Sequence, residues 1–178
     1  YWRQYNLMEE FGGRNVGLVD AIVPSFPEAK QEHTLEEVLS YEPDVGRGKR
    51  VLSQCYMCHK LDNQGIEFGP DLTAYAKGNH TEILIKAIID PSADISHGFE
   101  SVRVTTKDNK TIEGFVISEG NPLVLRVFGG ADMAIDQDQI AKLEDLHRSF
   151  MPSAASLDIS AEHVMNLVAY LKSLQHIK

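Results

Sequence analysis

The last stretch of the chain has the clearest period. In SAEHVMNLVAYLKSLQ, Val164, Leu167, Val168 and Leu171 recur three and four positions apart, which predicts an amphipathic helix capped by Ser160. A similar spacing in NHTEILIKAIIDPS puts Ile83, Leu84, Ala87 and Ile88 on one side of a second helix that stops before Pro91. Between these two the period falls to two. FESVRVTT, TIEGFVIS, LVLRVF and DMAI are short, β-branched and partly alternating, and KDNK, EGNP and GGA separate them, so they predict a meander of strands. QIAKLEDL is expected as a fifth strand. Upstream, HTLEEVLSYEP places Glu37 three residues after Thr34, the capping-box spacing of a short helix. GKRVLSQ, from Gly48, reads as a short helix delivering the chain to Cys55, and KLDNQGIEFGPDL as a loop punctuated by Gly65, Gly69 and Pro70. The layout is helices, then a β block over about residues 99–148, then a helix. Residues 1–45, turn-rich in FGGRNVG and VPSFPEAK, read as an N-terminal extension or linker.

Composition narrows the class. A chain of 178 residues, 43% hydrophobic, is long enough for one sizeable core and predicts one domain with an appendage. With 26 acidic against 17 basic side chains the net charge is -9, which repels a duplex phosphate backbone, so nucleic acid is not an expected partner. No apolar run reaches the length of a membrane span, and the first residues lack the basic start and apolar stretch of a signal peptide. Because the chain opens on Tyr1, it is expected to be a processed or trimmed piece.

The candidate chemistry lies in CYMCH, residues 55–59, which holds both cysteines. Cysteines at this spacing serve half of a zinc site, a dithiol redox pair, or covalent attachment of haem c. A zinc site needs four ligands, usually from two separated pairs, and there is no second pair here. A thioredoxin-like dithiol belongs at a helix start after a buried strand, whereas a short helix precedes this motif and a glycine-rich loop follows it. Haem c accounts for the whole pentapeptide: Cys55 and Cys58 for the two vinyl groups, His59 for one face of the iron. For the other face SFMPSAAS supplies Met151, followed by Pro152, directly before the last helix. Met8, Met57 and Met133 have no comparable setting, and Met165 reads as core filling. His147, four residues before Met151, is the one rival ligand.

Taken together, Gly48 leading a short helix, CYMCH, GPDL, the methionine-proline loop and LVAYLKSL resemble a class I type cytochrome c. More narrowly the chain resembles the Pirellula/Verrucomicrobium-type haem-binding domain. CYMCHKLDNQGIEFGPDLTAYA, ILIKAIIDPSADISHGFESVRVTTKDNKTIEGFVIS and SFMPSAASLDISAEHVMNLVAYLKSL carry the likeness, over about residues 46–175. The resemblance implies an α+β fold: a cytochrome c-like helical haem domain over residues 46–178, with a small β-barrel-like meander of the SH3 or Sm-like kind inserted between the haem loop and the axial-methionine loop. It implies that the carbonyl of Pro70 orients His59. The chain departs from the family pattern at Val51 and Leu52, where an aromatic is common, and at Ser153 and Ala154, where a glycine often follows the methionine-proline pair.

The function expected is outer-sphere electron transfer, not catalysis. One haem c per chain is held by Cys55 and Cys58, with His59 and Met151 as iron ligands. Val51, Leu52, Leu72, Ile83, Leu84, Ile88, Leu167 and Leu171 are expected to keep water from the porphyrin. The resemblance further implies a redox partner protein or a fused dehydrogenase domain, and covalent haem a periplasmic or otherwise extracytoplasmic setting. Two rival expectations are a haem-based sensor with an open or labile sixth position, and an acidic β-barrel interaction module with a local disulfide.

Overall fold

The computed structural model describes residues 31–174. The readings made on FGGRNVG, VPSFPEAK and Met8 lie outside the described residues. Helix α1 (Leu35–Leu39) begins as its capping box predicts, with Thr34 Oγ1 accepting the Glu37 N–H at 3.1 Å. Helix α2 (Val45–Val51) is capped by Asp44, whose carboxylate accepts the Arg47 N–H at 2.9 Å, and it runs directly into a 3-10 turn, Leu52–Met57. A two-residue hairpin, β1 (Lys60–Leu61) and β2 (Gln64–Gly65), and helix α3 (Leu72–Gly78) occupy the stretch expected as loop and its continuation. Helix α4 (Thr81–Ile89) follows, with buried Leu84, Ile85 and Ile89. Its buried face is rotated from the predicted one, since Ile83 is 41% exposed. In an unbroken Ile-Leu-Ile run spacing alone does not choose the inward side.

All five expected strands form: β3 (Ser101–Thr106), β4 (Thr111–Ser118), β5 (Leu123–Val127), β6 (Asp132–Ile135) and β7 (Ile140–Asp145). They pair antiparallel in the order β6-β5-β4-β3-β7. Helix α5 (Ala161–Ser173) closes the described fold, with Ser160 Oγ accepting the His163 N–H at 3.3 Å and Val164, Leu167, Val168 and Leu171 buried.

The expected architecture, a cytochrome c-like helical domain interrupted by a barrel-like insert, is corrected here. Among the described residues the protein is mixed α+β, with five helices of five to thirteen residues beside a five-stranded antiparallel sheet that does not close. Closure needs β6 to pair with β7, but these lie at opposite edges. The 3-10 turn Gln137–Gln139 carries the chain past β6, and β7 joins the far side of β3. Nor is the sheet a self-contained insert, because Phe115 on one of its faces lines an apolar cavity together with residues of the helical half.

Register sorts the sheet residues. Val104 faces Ile112 across one ladder, and Val116 faces Leu125 across the next. These side chains, with Val102, Leu123, Val127 and Ile135, make a core built from strand residues alone. On the opposite face Arg103 pairs with Glu113 and Ser101 with Phe115. Phe115 joins Phe68 and Phe150 in a second cluster that ties the sheet to the helical half. The third and largest core packs Val38, Leu52, Leu84 and Ile85 against the α5 stripe. Val38, from the stretch assigned to the extension, is therefore part of the helical core. Helix α2 crosses α5 at close range through Gly48, where a Cβ would stand 2.0 Å from the Asn166 carbonyl oxygen. Gly48 also lies against Tyr170, whose Cβ would stand 2.8 Å from that added atom.

Candidate functional site

The CYMCH segment is folded back on itself before any side chain is considered. The Cys55 carbonyl accepts the N–H groups of both Cys58 and His59, at 3.1 and 2.8 Å. The loop downstream then returns: the Cys58 carbonyl accepts from Phe68 at 3.1 Å and Gly69 at 2.6 Å, and the Tyr56 carbonyl from Ile66 at 3.1 Å. Two glycines permit this closeness. Gly65 has φ +87° and a Cβ there would stand 2.1 Å from the His59 carbonyl oxygen. At Gly69 a Cβ would meet the His59 ring itself, 2.6 Å from Cε1.

The ring is thus seated on the Gly69 backbone, and its rotation is fixed by a bond of 2.8 Å between Nδ1 and the Pro70 carbonyl. A carbonyl only accepts, so Nδ1 carries the proton and Nε2 keeps a lone pair. Burial pulls the imidazole below its ordinary value of 6.5, with the Pro70 bond acting in the opposite sense. The ring is neutral at pH 7, the form in which a histidine binds a metal.

His59 borders an apolar cavity of about 360 Å³. Cys55, Cys58 and Pro70 line it as well, and so do Phe150, Met151 and Pro152. The Met151 segment is tied down along its length. Its own N–H donates to Ser149 Oγ at 3.0 Å, Ser149 N–H to Ser92 Oγ at 3.0 Å, and Ala154 N–H to the Ile88 carbonyl at 2.9 Å. Leu72, Leu84, Ile88, Leu167 and Leu171 line the cavity as expected. Val51 and Leu52 instead pack within the helical core, and Ile83 lies at the surface. His147, the rival ligand, is exposed, stands in the left-handed region at φ 51°, and is absent from the cavity lining.

Both cysteines are free, partly buried thiols. Burial, followed by the neighbouring Cys58, pushes Cys55 up to about 11, and burial raises Cys58 as well. A dithiol redox pair requires the reverse, a thiolate stabilised near neutrality by positive charge or a helix start. Among the described residues no three His, Cys, Asp or Glu side chains converge as a metal site, so nothing completes the zinc alternative there.

Sequence reasoning missed the contribution of the sheet. Phe99 and Phe115 line the cavity, with Phe115 centred 5.1 Å from Phe150 and 4.7 Å from Phe68. The alternation in TIEGFVIS does put Glu113 and Phe115 on one face. Nothing local says that this face turns towards the haem-type motif. Among known proteins, no family model matches the chain, and no curated protein matches it either.

Proposed function

We propose that the chain is an electron-transfer domain carrying one haem c, tethered through Cys55 and Cys58 and ligated at the iron by His59 and Met151. One observation carries this reading: a neutral imidazole, fixed by Pro70 and seated on Gly69 with Nε2 unprotonated, borders the same apolar cavity as Met151. The residues present fit the group. Two thiols stand three positions apart beside the ligand histidine, a thioether belongs to the same lining, and most of the remaining lining is hydrocarbon. Bound there, haem c would supply a one-electron redox couple. The chain's own part is electrostatic and steric. Pro70 holds the proton on Nδ1 and keeps the ligand basic. Leu84, Ile88, Leu167, Leu171 and the phenylalanines exclude water, which with a thioether ligand favours the less charged reduced iron. With His59 and Met151 both committed to holding the iron, the group would offer no place for a substrate, so the reading is of a carrier and not an enzyme.

Partner and setting follow from the same reading: a redox protein or fused dehydrogenase domain, in an extracytoplasmic compartment, and membership in the haem-binding family that the motifs resemble. No helix of the described residues is long and apolar enough to cross a membrane. A net charge of -9 supports a protein partner over nucleic acid.

The test is the visible spectrum of the chain made in a host that attaches haem c, oxidised and dithionite-reduced, beside Met151→Ala. The expected result is a sharp reduced α-band, with a weak near-infrared thioether-to-iron band that the variant loses. A chain whose mass lacks the haem increment overturns the reading, and a variant with an unchanged spectrum removes Met151 from it in favour of a sensor with a different sixth position.

A further inference from the structure

The sheet face that reaches the cavity also holds a carboxylate with almost no exposure. Glu113 is 1% exposed, yet it lies within β4 between Ile112 and Gly114. Its Oε1 accepts from Arg103 Nε at 2.9 Å and Nη2 at 2.5 Å, and its Oε2 accepts from Arg148 Nη2 at 2.9 Å. Arg103 is its cross-strand neighbour, but Arg148 is not in the sheet at all. It stands three residues before Met151, in the segment that leaves β7.

More than one contact converges on that segment. The Arg148 carbonyl accepts from the Ser101 hydroxyl, and Leu146 N–H donates to the Ser101 carbonyl at 2.9 Å. The Arg148 guanidinium lies 5.2 Å from the Phe150 ring centre, above a ring that is itself in the cavity wall. A buried ion pair is poor value as pure stability, since apolar groups of the same volume often do as well. It does fix geometry, because a carboxylate with both oxygens engaged permits one placement of each guanidinium. Here one guanidinium belongs to the sheet and the other to the methionine loop.

We infer that Glu113 is a positioning residue for Met151: through Arg148 it clamps the start of the methionine loop to the sheet, and so sets where the thioether stands in the cavity wall. The inference rests on the haem reading for the role of Met151, while the clamp itself is a property of the chain alone. Loosening it releases residues 146–151 without touching His59 or the cysteines. Arg103 pairs with the same carboxylate from within the sheet and serves as the control.

Two measurements on the full chain separate the clamp from the haem. In the haem-free chain, Glu113→Gln and Arg148→Ala are expected to speed amide exchange at Leu146, Ser149 and Met151 by about tenfold relative to Val102 and Val104. Arg103→Ala is expected to leave that ratio unchanged. In the haem-loaded chain the first two variants weaken the near-infrared thioether-to-iron band and raise the affinity of the oxidised protein for added imidazole about tenfold. Arg148, whose side chain is 44% exposed, gives a variant that folds even where Glu113→Gln does not. Exchange that rises uniformly, or imidazole affinity that stays at the unaltered value in Arg148→Ala, overturns the clamp. Absence of the band from the unaltered chain instead overturns the haem reading, and the exchange ratio still decides the clamp.

Discussion

His59 is held from below by an absence. Gly69 leaves room for the ring, and the nearest ring atom would lie 2.6 Å from any Cβ placed there, closer than real contacts allow. Gly69→Ala is therefore expected to swing the imidazole and break its bond to the Pro70 carbonyl. In the haem-free chain this reads as loss of the slowly exchanging Nδ1 proton in the NMR spectrum, with a destabilisation of about 1–3 kcal/mol from overpacking. Retention of that proton at the same shift would show that the ring does not depend on this seat. The contrast between Gly69 and its neighbours shows what a sequence yields at this scale. Cys55, Cys58 and His59 stand out in the sequence because their residue types are rare and closely spaced, and Met151 because it sits in a proline-bearing loop before the last helix. Gly69 reads only as punctuation, since its use depends on a ring ten positions earlier folding back over it. Glu113 was illegible for a similar reason: its partners lie ten positions before it and 35 after it, one brought in by strand register and the other by the path of the chain after β7.

Elements meet most closely where α2 crosses α5. Replacing a helical glycine by alanine normally gains about 1 kcal/mol of helix propensity. At Gly48 the new methyl would stand 2.0 Å from the Asn166 carbonyl oxygen and 2.8 Å from Tyr170 Cβ, and a backbone oxygen inside a thirteen-residue helix does not move aside. Sterics win, and Gly48→Ala is expected to lose about 2 kcal/mol or more in a urea melt. A gain instead would mean that the helices separate freely. Helix α5 and the five strands were readable because each holds one period for several residues, and Thr34 and Ser160 cap where their side chains suggest. The β1–β2 hairpin was not: it is two pairs long and rests on Asp62 at φ 53° and Gly65 at φ 87°, with no alternating run to announce it. The barrel-like expectation failed at one connection. Strand count and turn positions were right, but whether the last strand meets its predecessor or crosses to the far edge is decided by sheet curvature, which period-two alternation does not encode.

At the scale of the whole molecule, helices and sheet carry separate cores joined by the phenylalanine cluster. Phe115 is its hub, within 5.3 Å of the ring centres of Phe68, Phe99 and Phe150. Phe115→Ala is expected to lose about 3–5 kcal/mol. That is a large share of the 5–15 kcal/mol typical of a domain. Calorimetry is expected to show one unfolding peak for the unaltered chain and two for the variant. One peak, merely shifted, would mean that the cores communicate by another route.

Among the described residues the sheet ends at β6 and β7 with no further strand paired to either. An edge of this kind is a template, offering a row of backbone donors and acceptors to any extended chain, a second copy included. On β7 the sequence answers with Lys142 and Glu144, joined at 2.6 Å on either side of the half-exposed Leu143; on β6, Asp132 is held by Arg126 at 2.8 Å. Because the sheet stays open, these few charges take over a duty that a closed barrel would discharge by geometry: keeping the protein from polymerising with itself.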